Sequence, residues 1–409
     1  MAVVRVNTLV VGGGQAGLVM SHMLSRRQCP HLVLEKGQVC ERWRSERWDE
    51  LCFQFPNWSV QLPDFPLPHT DPDAFATRAQ ILEYLEAYAA FVAPPIRCGV
   101  AVTALRAANS GRGFVVDTSV GERIESENVV VATGPYQRAI VPEMIDEQAG
   151  IMQVHASRYR NPEQLAGGAV LVVGAGASGV QIAEELARAG RRVYLSVGRH
   201  RRFPRHYRGR DFIWWLQALG LYEMTVEQRG PLKPQPLISG AYGGNTIDLR
   251  EFAERGIVLL GRAMSVHDDV VEIAPDLKEN LAAGDDAYDT FLAAADEFVQ
   301  ANELDLRAEP DARKRRPDPT EVVDPISRLD LREAGIGAVV WATGYAPDYG
   351  WIELPVVDEH GAPIHRHGIS PVDGVYFLGL QWMYKMKSSF LSGVSEDAER
   401  LADLIVARG

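Results

Sequence analysis

The chain has 409 residues, 46% of them hydrophobic and 23% charged, and a formal net charge of −12 at pH 7. This is the balance of a soluble globular chain of about two to three domains, and its sign argues against nucleic acid as a bulk partner, since phosphate binding needs a basic face. No apolar run approaches the roughly 18 residues of a membrane span, and Cys29, Cys40, Cys52 and Cys98 form no C-x-x-C pair, so free thiols, no membrane association and a cytoplasmic location are expected.

The first predicted elements are an apolar strand, Thr8–Val11, the turn GGGQAG, a helix ending near Arg27 and a second strand, HLVLE, closing on Glu35. Gly12, Gly14 and Gly17 fit G-x-G-x-x-G. The first glycine permits the tight turn, the second lets a pyrophosphate approach the backbone, and the third lets the helix pack close to the sheet. The bare N–H groups of the helix start favour the anion. Glu35 stands where a carboxylate accepts from ribose hydroxyls. Further on, alternating runs over 97–129 suggest hairpins, and ENVVVATGPY (127–136) is a strand ending in A-T-G at Thr133 and Gly134.

The strand–turn–helix design then repeats in VLVVGAGASGVQIAEELARAGRRVYLS, with Gly174, Gly176 and Gly179. Its second strand ends in Ser196 instead of a carboxylate, and Arg199, Arg201 and Arg202 follow. A carboxylate there would repel a 2′-phosphate and an arginine fork would grip it. The two units therefore predict two dinucleotides, FAD on the Glu35 unit and NADPH on the Ser196/Arg199 unit. Residues 276–305 read as an acidic helical pair, a solvated appendage or else a substrate lid or subunit contact, followed by a proline-rich loop. GAVVWATGYAPDYG (337–350) is a second strand ending in A-T-G, at Thr343 and Gly344, and the C-terminus reads strand, loop, helix.

The fold expected is α/β, with two Rossmann-like dinucleotide-binding domains. An NADPH domain, 166–334, with a helical and loop insertion at about 262–330, interrupts an FAD domain made of 1–165 and 335–409. No histidine–cysteine group has metal-ligand spacing, so no metal is expected.

The order GGGQAG, Glu35, VATG, GAGASG, arginines, WATGY resembles that of the flavin-containing monooxygenases, with the bacterial and plant YUCCA-type members most alike. ERWRSERWDELCFQFPNWSVQLPDFPLP (41–68) is similar to the family's segment beside the flavin ring, and GIMQVHASRY supplies His155 and Tyr159 at positions matching a family motif before the second cradle. The resemblance implies that NADPH reduces the flavin, that the reduced flavin captures molecular oxygen as a C(4a) hydroperoxide, and that one oxygen atom passes to a small nucleophilic nitrogen, sulfur or carbonyl compound. It implies Asn57 as the catalytic residue holding NADP⁺ and the peroxide, with Trp43 walling flavin or substrate. Two alternatives stay open: an NADPH-dependent reductase or oxidase without oxygen transfer, and a nucleotide-binding sensor without turnover. A homodimer is the default assembly.

Overall fold

Two apolar runs rich in β-branched residues, TLVV and AVLVV, seed the parallel strands of two sheets. The computed structural model describes residues 4–69, 71–109, 111–146 and 150–408. Among these residues the main elements are β1 (Val4–Val11), α1 (Gln15–Arg26), β2 (His31–Glu35), α2 (Arg78–Val92), β3 (Ile96–Cys98), β4 (Val102–Ala107), β5 (Phe114–Thr118), β6 (Arg123–Val131), β7 (Met152–His155), β8 (Ala169–Val173), α3 (Ala177–Arg188), β9 (Val193–Ser196), α4 (Phe212–Ala218), β10 (Val258–Leu260), α5 (Leu277–Ala301), β11 (Ile336–Trp341), β12 (Val375–Phe377) and α6 (Val394–Arg408).

The first sheet has the order β3-β2-β1-β6-β5-β4, with β12 paired to β6. Strands β3, β2, β1, β6 and β12 are parallel, and β6-β5-β4 continue antiparallel, as the alternating runs predict. Helix α1 packs between α2 and α6. Leu9, Val10, Leu18, Val19, Leu85, Tyr88, Leu401 and Ile405 are fully buried at these contacts, each large aliphatic side chain contributing about 1.5–3 kcal/mol by leaving water. Helix α2 is fixed at its start by a capping box, in which Gln80 N donates to Thr77 Oγ1 and Thr77 N donates to Gln80 Oε1.

The second sheet is parallel throughout, in the order β7-β11-β8-β9-β10. It corrects the expected boundaries. Both Met152–His155, placed before residue 165, and Ile336–Trp341, placed after 335, hydrogen bond into this sheet. The chain touches the first sheet again at an isolated bridge from Ile352 to Leu105 of β4 and rejoins it as a strand at β12. Local sequence could not show this, because an apolar strand carries no mark of which sheet accepts it.

A further apolar cluster joins α4 to α5 through Phe203, Phe212, Trp215, Phe291 and Leu292. Here the expected helical pair is one continuous helix, α5, of 25 residues. Gly284, two turns in, does not break it: His200 Nε2 lies where a side chain at Gly284 would begin, so the glycine is a packing device. Nor is α5 a solvated appendage, since Leu281, Phe291, Leu292, Ala295 and Val299 are buried along one face.

Candidate active site

The two cradles are built alike. Gly12 N donates to Leu34 O at 2.8 Å and Gly174 N to Ser196 O at 3.1 Å, each turn thereby closing on the neighbouring strand. A Cβ on Gly12 would come to 2.5 Å from Ala132 O, and one on Gly174 to 2.6 Å from Ala342 O. Both glycines also hold positive φ, of 115° and 105°. Each A-T-G is therefore the segment passing directly over the turn of its own cradle. Ala132 N reaches Val11 O at 2.8 Å, and Ala342 N reaches Val173 O at 2.9 Å. A methyl on Gly17 or Gly179 would overlap the carbonyl of Gly12 or Gly174, which is the close helix–turn packing the spacing demands.

The middle glycines differ from these. At Gly14 and Gly176 an added Cβ would meet nothing within 4 Å. Open space lies over the helix start in both cradles, where a pyrophosphate needs it. The residues present thus fit two dinucleotides.

Beyond the glycines the two units diverge. Glu35 is buried and accepts from Gly13 N at 2.6 Å and Gly37 N at 2.8 Å. Ser196 is buried too, its hydroxyl donating to Gly261 O and accepting from Ala263 N, each at 3.0 Å. Arg199 is exposed and has no ion pair or side-chain hydrogen bond among the described residues. Arg201 donates through Nε to Pro234 O at 2.7 Å, its guanidinium over Phe203. Arg202, in contrast, turns inward to Asp248 and Asp285 and is structural.

One cleft of about 1130 Å³ joins the cradles. It is lined at one end by Gly14, Gln15 and Ala16, at the other by Ala177, Ser178, Arg199 and Arg201, and between them by Trp43, Thr133 and Gly134. Trp43 stands edge-on to Phe53, with the Arg47 guanidinium above it. Thr133 Oγ1 accepts from Gln137 Nε2 at 2.7 Å.

Other sequence-selected residues lie behind this surface. His155 is a staple: Nδ1 is 2.9 Å from Ser157 Oγ and Nε2 is 3.1 Å from Gly344 O, tying β7 to the second A-T-G. Burial lowers its pKa, which keeps the imidazole neutral. Thr343 donates to Ile140 O. Asn57 is not on the cleft; its Nδ2 donates to Asp71 O at 2.9 Å. From the same segment Gln54 lines the cleft, and its carboxamide makes no hydrogen bond among the described residues.

Sequence reasoning missed several cleft residues. Arg229 and Trp382 come from irregular loops, while Ala283, Asp286, Ala287, Thr290, Phe291 and Ala294 form one stripe of α5. For the stripe a signal existed: the helical spacing of Leu281, Tyr288, Phe291 and Leu292 marks α5 as a packed element. Cys40 and Cys52 also line the cleft. Burial pushes the Cys40 thiol up to about 12 and raises that of Cys52 as well, so both are protonated at neutral pH and poor nucleophiles.

Residues 9–219 match the pyridine nucleotide-disulphide oxidoreductase family. The chain is 33% identical over 407 residues to an "Uncharacterized oxidoreductase CzcO-like" of Geobacillus kaustophilus (strain HTA426), covering 98% of each. Indole-3-pyruvate monooxygenase YUCCA4 of Oryza sativa subsp. japonica is 33% identical over 207 residues, 46% of each chain. A flavin-containing monooxygenase from Stenotrophomonas maltophilia shares the fold over 99% of both chains, with a TM-score of 0.65 at 19% identity. So does OTEMO in complex with FAD and NADP, over 98% of this chain and 85% of that one, with a TM-score of 0.57 at 17% identity.

Proposed function

The chain belongs to the pyridine nucleotide-disulphide oxidoreductase family, among its flavin-monooxygenase-type oxidoreductases, and from that premise we propose that it is an FAD- and NADPH-dependent monooxygenase acting on a small nucleophilic nitrogen, sulfur or carbonyl compound. The observation that carries this reading is the single cleft linking two open helix starts with different side-chain chemistry at their ribose ends.

The helix start at Gly14–Ala16 holds the FAD pyrophosphate, and Glu35 takes the ribose with its remaining lone pairs. The start of α3 holds the pyrophosphate of NADPH, while Arg199 and the outer nitrogens of Arg201 take the 2′-phosphate. Bound, the pair supplies hydride transfer to the flavin and the activation of molecular oxygen. Phe55, Phe203, Phe212 and Phe291 keep water from the space between the cradles. Trp43 walls that space, and Gln54, with a free carboxamide on the cleft, takes the contact with the nicotinamide nucleotide that the resemblance gives to Asn57.

A thiol-based reductase is disfavoured by the protonated Cys40 and Cys52. No helix among the described residues is long and apolar enough to cross a membrane, and a cytoplasmic homodimer is the assembly we propose.

The test uses the FAD-loaded protein, NADPH and ¹⁸O₂ with a panel of amines, sulfides, ketones and 2-oxo acids. Entry of a single ¹⁸O into an organic product is expected. NADPH oxidation that yields only hydrogen peroxide across the panel would make the protein an oxidase, and no oxidation at all would make it a sensor.

A further inference from the structure

The cleft extends past both helix starts into a lobe walled by α4, α5 and the chain at 381–391. On the wall of this lobe stands Arg229. Its guanidinium lies 5.5 Å from the centre of the Trp382 ring, and its Nε is buried without a hydrogen-bond partner. No carboxylate pairs with it among the described residues, although two acids are close in sequence. Glu223 is held by Lys385, at 2.6 Å, and by Lys387. Glu227 is held by His367 at 2.7 Å.

Arg44, Arg78, Arg202 and Arg400 also carry an unpartnered Nε, but each of them has a carboxylate partner. Arg205, 1% exposed, is fully paired, with both carboxylate oxygens of Asp211 and the carbonyl of Gln54 accepting from it. Arg250 pairs with Asp285 and Asp318. A half-buried guanidinium with no carboxylate partner is electrostatically unsatisfied, and an anion reaching its outer nitrogens relieves that.

Arg229 is also held in place. Val226 N donates to Tyr384 O at 2.8 Å and Met386 N to Met224 O at 3.0 Å, pinning its segment to the chain at 384–386. Further along, Gln235 Nε2 donates to Gln381 Oε1 at 3.2 Å. Trp382 itself has a left-handed backbone, with φ of 54°. Bulky residues rarely adopt it, and such strain gathers at ligand-binding positions. Around the pair the wall is apolar, with Leu219, Leu221, Met224, Met386 and Phe390.

We propose that Arg229, fixed over Trp382, is a specificity residue that reads an anionic group on an otherwise apolar substrate. The anion takes the free N–H groups of Arg229 in a charge-assisted pair; the apolar body lies along Phe390, Leu219 and the α5 stripe. This assignment rests on the lobe being the substrate site of the proposed monooxygenase.

The test measures binding, by quenching of tryptophan fluorescence in the FAD-loaded protein with NADP⁺ present. The probes are 3-phenylpropionate and its neutral amide. The wild type is expected to bind the carboxylate at least about tenfold more tightly than the amide, about 1.4 kcal/mol. Arg229→Met should erase that preference with the amide changed less than about twofold, and Arg229→Lys should keep part of it. The proposal is overturned by equal affinities in the wild type, by a preference that survives Arg229→Met, or by equal loss for both probes. A parallel NADP⁺ titration separates the source of the anion: loss of NADP⁺ affinity in Arg229→Met with the carboxylate preference intact would assign Arg229 to a cofactor phosphate. If Arg229→Met does not fold, Arg229→Lys and Trp382→Leu, each read by the same ratio, decide it. Failure of ¹⁸O transfer would sink the monooxygenase reading but leave this ratio readable.

Discussion

The two cradles are near-copies in backbone and opposites in side chain. Leu18 N reaches Gly14 O, and Val180 N reaches Gly176 O, both at 3.0 Å. The helices that follow then differ at matching positions. Val19 and Met23 of α1 are buried apolar residues, and their counterparts in α3 are Gln181 and Glu185, equally buried. Helix α1 faces a dry core against α2 and α6, whereas Gln181 lines the cleft. The lesson is that pyrophosphate recognition is a backbone property, copied whole, while the identity of the dinucleotide and the polarity of the surroundings are side-chain properties that each cradle sets for itself.

Substituting the glycines breaks the comparison most severely. Gly17→Ala and Gly179→Ala should each cost on the order of 5 kcal/mol, because the methyl overlaps a carbonyl that cannot move without unwinding the turn. Soluble, folded protein should not accumulate from either. Gly14→Ala and Gly176→Ala have open space instead; thermal melts of the apoprotein should change by less than about 0.5 kcal/mol, while the first loses FAD and the second NADPH. A folded Gly179→Ala that binds NADPH normally would show that the cradles are not built alike.

Glu185 gives the next largest effect. Desolvation, with Asp49, Glu50 and Glu163 adding repulsion, pushes its carboxyl up to about 7. Tyr159, its buried neighbour, opposes the shift in part. Between the ordinary carboxyl value and about 7 the native state holds a proton that the unfolded state has released. Stability therefore falls as pH rises through this window, by roughly 3 kcal/mol when complete. Glu185→Gln should be more stable than the wild type at pH 8 and lose that advantage near pH 4.5, as urea unfolding at the two pH values would show. Met23 offers no such group, so this carboxyl's contribution has no counterpart at the matching position of the first cradle.

Arg199→Ala sharpens the ribose-end contrast. It should weaken NADPH by about 10–100-fold, the loss of one charged hydrogen-bonding partner, and leave NADH within about twofold; stopped-flow reduction of the flavin measures both. Equal losses would make the arginine structural. The smallest effect is expected from Ser196→Ala, which leaves Gly261 O and Ala263 N without their partner. About 1 kcal/mol of stability should go, with NADPH affinity unchanged in a titration, because the hydroxyl does not reach the cleft.

Much of the cradle chemistry was legible in the residues alone, for a physical reason. A phosphate-binding turn, its glycines and the residue closing the next strand lie within some 25 positions, and their geometry is dictated by local sterics and the helix start. Gly12, Gly14, Gly17 and their three counterparts needed no tertiary information. Two A-T-G segments were legible as close passes, although which turn each one covered emerged only from Ala132 and Ala342 lying on Gly12 and Gly174.

What remained hidden depends on contacts across the chain. β11 looked like a return to the first sheet, yet it pairs with β7 and β8 across a separation of over 160 residues, because strand pairing is chosen by the whole sheet. The segment 276–305 read as a helical pair, whereas it is one helix in which Gly284 makes room for His200. Asn57 carried the expected chemistry, yet Gln54, three residues earlier on the short strand Cys52–Pro56, lines the cleft, while Asn57 lies in the turn after that strand and donates to Asp71 O. Arg229 and Trp382, 153 positions apart, meet only because backbone hydrogen bonds at Val226 and Met386 bring their loops together. The sequence determined that this protein holds two dinucleotides; only the tertiary structure decided what stands between them, because a cleft is made of side chains that local sterics cannot aim.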